Sequence, residues 1–379
     1  MIQSTPNRPT WAEIDLTALA ENFWSVRNFV GPEIAFMAIV KADAYGHGAV
    51  ASARRLEREG ADWLGVAIVE EGLELRRAGI AKPILCLGGS WPGQERALLQ
   101  SLLTPAIFRI DAAERLNAVA GERRCVADVH LKVDTGMNRL GVRFAEFGEF
   151  LDRFRQFTNL RVEGVMTHFA AADSLENIHF TDLQIERFED CVTRLRAAGF
   201  APRFLDLANS PGAVVHPRSR GNMVRIGGLL YGLGRDVLPA GVEQPKLRPV
   251  MSLKSAISSI KNVPAGESIG YGRTFVTKRE SRIAAVPIGY HDGYSRALSN
   301  KAQAIVRGNL APIVGRISMD WTTIDVTEIQ DAALGDTVVL LGGSDQLRIV
   351  AEDLAQLTET ISYEITCGIS GRVRRRYLK

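Results

Sequence analysis

Lys41 directly follows the apolar run FMAIV (36–40). A lysine at the edge of an apolar core is partly desolvated, which lowers its pKa and frees the amine to form a Schiff base with a carbonyl. The same position also suits a lysine that snorkels its charge out to water. Other residues could hold an anion. NSPGA (209–213) puts Ser210 at the N-cap of a helix with Pro211 in its first turn. A helix start offers free N–H groups and the positive end of a dipole, which suits phosphate. RIGG (225–228) adds backbone N–H groups at Gly227 and Gly228 that no side chain shields. Each of these short motifs is also an ordinary turn. Lys132 with Asp134 and His168 complete the polar groups that end apolar runs.

The elements that must position these groups follow from eight apolar runs. They are FMAIVK (36–41), WLGVAI (63–68), PILCLG (83–88), LTPAIF (103–108), VHLKVD (129–134), VEGVMTHF (162–169), FLDLANS (204–210) and NMVRIG (222–227). Between most of them lie stretches with helical periodicity, including 48–60, 146–157 and 182–199. Near-continuous apolar strands separated by helices indicate a parallel sheet covered on its faces, and eight such units fit a (β/α)8 barrel of the TIM type. Reactive groups of that fold stand at the C-terminal ends of the strands, and its phosphate sites favour strands seven and eight. Lys41 after the first strand, with Ser210, Gly227 and Gly228 after the last two, therefore describes a cofactor lying across the barrel mouth. Such a cofactor has an aldehyde at one end and a phosphate at the other.

After about residue 242 the texture changes to short runs with turn signals, such as VPAGES, AQAIVRGNLAPIVGRIS and DTVVLLGG. These predict a mainly β C-terminal domain with hairpins and one short helix near 349–357. The expected domains are 1–243 and 244–379, with the first ten or so residues packing on the second. The length of 379 residues and 46% hydrophobic content suit a barrel-sized domain plus a smaller one. A net charge of +3 gives no reason to expect nucleic acid as a partner. The four cysteines are far apart and lack a CxxC pair, which fits reduced thiols and no metal site. No run approaches the roughly 20 apolar residues of a membrane span, and no secretory signal follows Met1. A cytoplasmic enzyme is expected.

Nine motifs, in order from 41 to 370, resemble the bacterial alanine racemase family. They are KADAYGHG (41–48), VHLKVDTGMNRLG (129–141), THFAAAD (167–173), LANSPGA (207–213), VRIGGLLYG (224–232), GYGRTF (270–275), IGYHDGYSR (288–296), VGRISMD (314–320) and YEITCGIS (363–370). The resemblance implies a pyridoxal-phosphate-dependent isomerase that interconverts L- and D-alanine and supplies D-alanine for peptidoglycan. It implies Lys41 as the lysine that binds the cofactor and as one acid–base group, with Tyr271 as the other. Racemisation removes a proton from one face of a planar intermediate and returns one on the other, so two groups are needed. A tyrosine, with an ordinary pKa near 10, needs help to act as a base. The resemblance supplies a hydrogen-bonded chain from Tyr271 through His168 and Arg225 to the cofactor ring nitrogen.

The resemblance further implies Arg139 and the Met319 N–H as substrate carboxylate contacts, Arg139 also meeting the cofactor. Tyr45, Ser210, Gly227, Gly228 and Tyr363 become phosphate contacts. Lys132 resembles a lysine that is carbamylated in many members, whose negative charge could fix Arg139. Tyr231 and Asp320 are expected at most to support these groups, and Asp43, His47 and His291 to be structural or rim residues. A homodimer with shared active sites is implied, Lys41 from one chain meeting Tyr271 and Met319 from the other. Two departures stand out: Arg374 where the family often has proline, and Trp321 where smaller residues are frequent. Three rivals remain: a racemase for serine, lysine or a broad set of amino acids, a barrel-type amino-acid decarboxylase, and a non-catalytic pyridoxal-phosphate carrier. The decarboxylase lacks a matching cysteine motif here, and the carrier leaves the β domain unexplained.

Overall fold

The computed structural model describes residues 8–344 and 346–379. The chain forms two compact units. One comprises Leu19–Ala44 and Ala49–Leu247; the other comprises the residues up to Ala18, Tyr45–Gly48 and Arg248–Lys379. The first strand, β1 (Thr10–Asp15), belongs to the second of these. The expectation for the first ten residues falls mostly on residues 1–7, which lie outside the described residues.

The first unit is a closed barrel. Its strands are β2 (Ala35–Ile39), β3 (Trp63–Val66), β4 (Ile84–Cys86), β5 (Leu103–Ile107), β6 (Ala127–Asp134), β8 (Leu160–Met166), β9 (Phe204–Asp206) and β10 (Met223–Ile226), with the two-residue β7 (Val142–Arg143) beside β6. Each pairs in parallel with its neighbour, and the ring closes where β10 meets β2, with Arg225 opposite Met37. All eight coincide with the eight apolar runs. Most of their residues are buried on both faces, which is why the runs carry no period-two alternation.

Helices α1 (Leu16–Val30), α3 (Ala49–Glu59), α4 (Val69–Arg77), α5 (Glu95–Gln100), α6 (Ile110–Glu122), α7 (Phe147–Phe154), α8 (Ile178–Ala197) and α9 (Ser210–Val215) link the strands. A further short turn, α2 (Lys41–Tyr45), follows β2. The core between β5, β6, β8 and helices α6–α8 is aliphatic and aromatic, with Phe147, Phe154 and Phe188 almost wholly enclosed. Sequence reasoning made Ser210 the cap of α9. The structure gives that role to Asn209, whose side chain accepts the Gly212 N–H at 3.0 Å and leaves Ser210 inside the helix.

The second unit is mainly β. Its main sheet runs in the order β17-β16-β19-β11-β1-β21, formed by β11 (Met251–Ala256), β16 (Gln303–Val306), β17 (Asn309–Pro312), β19 (Thr337–Gly343) and β21 (Arg374–Leu378) with β1. Strands β12 (Ser259–Val263), β15 (Ser281–Val286) and β18 (Thr322–Asp325) make a second sheet, and β13 (Ser268–Ile269) pairs with β14 (Phe275–Val276). The short β20 (Arg348–Ile349) pairs antiparallel with β19 and leads into α10 (Ala351–Thr358) and α11 (Ser362–Cys367). Arg374 stands opposite Trp11 in the parallel β21–β1 pair, so the residue where proline was common starts a regular strand. No helix among the described residues is long and apolar enough to cross a membrane.

Candidate active site

Lys41 follows β2 at the C-terminal rim of the barrel, and the chain then winds the wrong way. Ala42, Asp43, Ala44 and Tyr45 all have φ between 52 and 55°, a left-handed turn made without glycine. Each such residue costs about 1–2 kcal/mol, so the surroundings must impose the turn. The Glu71 carboxylate does so from α4: one oxygen accepts the Ala42 N–H at 2.7 Å and the other accepts the Ala67 N–H at 2.7 Å. The Ala44 N–H reaches the Val40 carbonyl at 2.9 Å. Asp43 accepts the Ala49 N–H at 2.7 Å and so helps start α3. Strained backbone held by specific partners is a common mark of a functional site.

Arg225 stands on β10 inside the barrel mouth, with its side chain 3% exposed. Its Nη1 donates to the Asp206 carbonyl at 3.0 Å and to the Asp206 carboxylate. Its Nη2 donates to the carbonyls of Thr167 at 2.7 Å and Leu207 at 3.1 Å, and to Nδ1 of His168 at 3.2 Å. Both terminal nitrogens are therefore engaged, and Nε–H is the guanidinium donor with no hydrogen bond among the described residues. A guanidinium cannot accept, so Nδ1 of His168 is the acceptor and the imidazole proton sits on Nε2. Burial pushes the His168 pKa well below its ordinary value, and Arg225, Arg139, Lys132 and Lys41 push it the same way. His168 is a neutral donor ringed by cations.

Lys132 is buried on β6, with its amine on the Leu87 carbonyl at 3.1 Å. Burial, then Arg225, Arg139 and Lys41, lower its pKa to about 8, while Asp206 pulls the other way. Arg139 lies exposed in the loop after β6. Asp134 shapes that loop by accepting the N–H groups of Gly136 at 2.9 Å and Asn138 at 3.1 Å. Behind His168 lies a polar frame that sequence reasoning missed. Thr167 bonds Thr135 at 2.8 Å, and Gln184 from α8 donates to Thr135 and to the His168 carbonyl, each at 3.1 Å. At the start of α9, Ser210 accepts the Gly227 N–H at 2.9 Å, so its own hydroxyl hydrogen is left to donate outward.

The second unit holds the other expected residues. Tyr45 and Tyr363 meet edge to face, their ring centroids 5.2 Å apart, and burial holds the Tyr45 phenol protonated far above its ordinary range. The Gly46 carbonyl accepts two hydrogen bonds from Arg375, at 3.2 and 3.0 Å. A Cβ at Gly46 would stand 2.1 Å from the Thr366 carbonyl oxygen, so only glycine fits. Tyr271 is 71% exposed, in a turn where Gly270 and Gly272 take φ of 72 and 70°. Met319 is 51% exposed; its carbonyl accepts the His291 N–H at 3.1 Å, and its own N–H makes no hydrogen bond among the described residues. Tyr290 and Trp321 are exposed on the same pair of loops. Asp320 is tied to Arg372 at 2.8 Å. In the first unit Tyr231 is wholly buried, with its hydroxyl on the Ile39 carbonyl.

Two more residues escaped sequence reasoning. Asp206 was read as part of an apolar run, although an acid inside a barrel strand is itself a signal. Glu71 sits in a helix full of charges and carries no local mark of its role. No group of three or more potential metal ligands occurs among the described residues.

Comparison with known proteins adds the following. The family model "Alanine racemase, N-terminal domain" matches residues 14–235, and "Alanine racemase, C-terminal domain" matches residues 250–377. A protein named alanine racemase from Geobacter sp. (strain M21) is 44% identical over 380 residues, spanning 98% of this chain and 99% of that one. The crystal structure of alanine racemase from D-cycloserine-producing Streptomyces lavendulae superposes with a TM-score of 0.92 at 37% identity, covering 99% of this chain and 98% of that one. The Bartonella henselae alanine racemase structure, described as carrying covalently bound pyridoxal phosphate, matches at a TM-score of 0.86 and 27% identity over 98% of this chain and 99% of that one.

Proposed function

The chain belongs to the alanine racemase family, and from that premise we propose that it interconverts L- and D-alanine with pyridoxal 5'-phosphate, as a homodimer with shared sites. The barrel mouth fits that cofactor. Lys41, Lys132, Arg139 and Arg225 all act on His168 there, giving a positive field that suits a phosphate ester. Lys41 would hold the cofactor covalently, and Ser210, Gly227 and Gly228 its phosphate, with Tyr45 and Tyr363. Arg225 would meet the ring nitrogen through Nε, and Arg139 the phenolic oxygen. When bound, the cofactor supplies an electron sink that acidifies the Cα–H of the attached amino acid.

The protein groups then divide the work. Arg139 and the Met319 N–H orient the alanine carboxylate. Tyr271 takes the Cα proton of L-alanine, and Lys41 delivers a proton to the opposite face; the reverse direction exchanges their roles. His168, neutral and protonated on Nε2, offers Tyr271 a donor that favours its ionised form. Arg225 keeps its protons, so it gives the ring nitrogen a hydrogen bond and not a proton. That weakens the electron sink and limits side reactions.

Tyr271 and Met319 stand exposed, as do Tyr290 and Trp321, and large apolar side chains left open in this way are what partner surfaces cover. This supports the shared-site dimer. D-alanine made this way serves peptidoglycan, and we assign the enzyme to the cytoplasm, where it would supply that precursor.

The observation that carries the reading is the Arg225 guanidinium fixed on His168 Nδ1 with Nε left to donate. Chiral chromatography of alanine after incubation with the purified protein and pyridoxal phosphate tests it. D-alanine rising toward an equal mixture, and absent with Lys41→Ala, is expected. No D-alanine from a cofactor-loaded dimer overturns it.

A further inference from the structure

Asp206 has no part in the chemistry above, yet its position is hard to explain as packing. It lies on β9 next to Arg225 on β10, and both side chains are buried, at 0% and 3% exposure. Its carboxylate and its own carbonyl together hold Nη1 of Arg225. The other carboxylate oxygen, Oδ2, is buried with no hydrogen-bond partner among the described residues. An ion pair sealed in a barrel with one oxygen unsatisfied is a poor device for stability; an apolar pair of similar volume does as well or better.

Around it, charge is one-sided. At Lys132 the neighbouring Arg225, Arg139 and Lys41 act against the ammonium, and Asp206 alone acts for it. Without Asp206, the Arg225 side chain would face that repulsion with Nη1 released from its carboxylate. Its plane could then turn about the Cδ–Nε bond, moving Nη2 off His168 and Nε off the direction it now takes.

We infer that Asp206 is a positioning residue for racemisation: it clamps Nη1 of Arg225, so that Nη2 stays on His168 and Nε stays turned to the cofactor ring nitrogen. The inference rests on the role given to Arg225 above. If Arg225 swings away, the ring nitrogen is open to a proton from water and the electron sink strengthens. A proton leaving Cα can then return to the cofactor carbon instead. Water cleaves the C=N bond that results, alanine departs as pyruvate, and the cofactor keeps the nitrogen as its amine. The cofactor gains the two electrons that alanine loses.

The test compares Asp206→Asn and Asp206→Ala holoenzymes with wild type. Glu95→Gln is the control, since it breaks the Glu95–Arg115 ion pair on α5 and α6, outside the barrel mouth. Losing a buried charged hydrogen bond corresponds to about a 10- to 100-fold loss. That loss is expected in kcat for Asp206→Ala, with KM for alanine within about threefold and pyruvate released per turnover rising about tenfold. Asp206→Asn should fall between. Glu95→Gln should change melting temperature and leave kcat and the pyruvate ratio alone.

A second readout needs no turnover. In cofactor-free protein labelled with 15N-histidine, the signal lost in His168→Gln should report the Nε2–H tautomer in wild type and a shift from it in both Asp206 variants. Wild-type kcat, pyruvate ratio and His168 signal in Asp206→Asn and Asp206→Ala overturn the inference. Should Asp206→Ala fail to fold, Asp206→Asn, which keeps size and an acceptor oxygen, decides. Wild type that does not racemise alanine sinks the functional reading, and the tautomer signal still judges the clamp.

Discussion

Nη2 of Arg225 donates to Nδ1 of His168 at 3.2 Å, and this contact fixes which nitrogen of the imidazole carries the proton. With burial and four cations acting against protonation, His168 should remain a neutral Nε2–H tautomer well below the pH at which an ordinary imidazole takes up its proton. Histidine 15N shifts followed from pH 7.5 to 5.5 measure this. A doubly protonated His168 at pH 6 would contradict it.

Stability should depend on pH through two histidines. His130 is wholly buried in the barrel, both ring nitrogens lack hydrogen bonds among the described residues, and burial with nearby Arg225 lowers its pKa to about 3. For His130 and His168 alike the unfolded chain binds a proton below about pH 6.5 that the folded chain refuses. Stability is therefore complete above that pH and falls as pH drops, by up to about 1.4 kcal/mol per pH unit for each group. Asp206, raised to about 6 by burial against the pull of Arg225 and Lys132, opposes this trend between pH 6 and its ordinary 3.8. Urea midpoints at pH 7.5 and 5.5 should differ less in His130→Phe than in wild type. Equal differences in the two proteins would remove His130 from the account.

Lys132, with its pKa lowered to about 8, exposes about a tenth of its amine in neutral form at pH 7. A neutral amine attacks the carbon of carbon dioxide and then gives up a proton, and the resulting carbamate would give Arg139 an anion to hold. A carbamate carbon should appear in the 13C spectrum of protein equilibrated with labelled bicarbonate. It should grow as pH rises toward 8 and vanish in Lys132→Ala. A bare amine at Lys132 in an electron-density map, with Arg139 ordered, would argue the other way.

The left-handed turn after Lys41 makes a prediction about backbone. Ala42 is exposed, so substitutions there read conformation more than packing. Ala42→Gly relieves about 1–2 kcal/mol of strain and loses about 0.4–1 to unfolded-chain entropy. A small rise in melting temperature should follow, and Ala42→Val should lower it. Stabilisation by valine would mean that the turn is not strained.

Subunit mixing tests the shared site. Lys41→Ala and Tyr271→Phe homodimers should each be nearly inactive. A mixed dimer holds one intact site and one doubly damaged site, so activity should return to about half of wild type per mixed dimer, by the independence of separated sites. Confirmed mixing with no recovery would refute the arrangement.

The barrel was legible because its strands are buried on both faces, and eight such runs admit few arrangements. The places of Lys41 and His168 at the ends of barrel strands were legible from the apolar runs they close, while the roles given to them and to Arg225 came from the family resemblance. What local reading lost was non-local. KADAY carries no local mark of a left-handed turn, and one of the partners that holds that hand, Glu71, is 29 residues from Ala42. Ser210 was assigned a cap because serine is good at it, but Asn209 is equally good and one residue earlier, and the Ser210 hydroxyl is bound 17 residues away by Gly227. Arg375 holding Gly46 is a contact across 329 positions that no window could contain.

The crowd of cations at the barrel mouth has a consequence for how long the polypeptide lasts. Lys41, Lys132, Arg139 and Arg225 repel one another, with Asp206 acting against them at Lys132. A phosphate-bearing molecule that binds only the folded barrel relieves that repulsion and, by mass action, makes unfolding rarer. Protein without it opens more often and meets proteases more often. With the cofactor proposed above in that role, its supply would govern how many copies survive in the cell, apart from how many are active, and enzyme abundance would become a gauge of cofactor status.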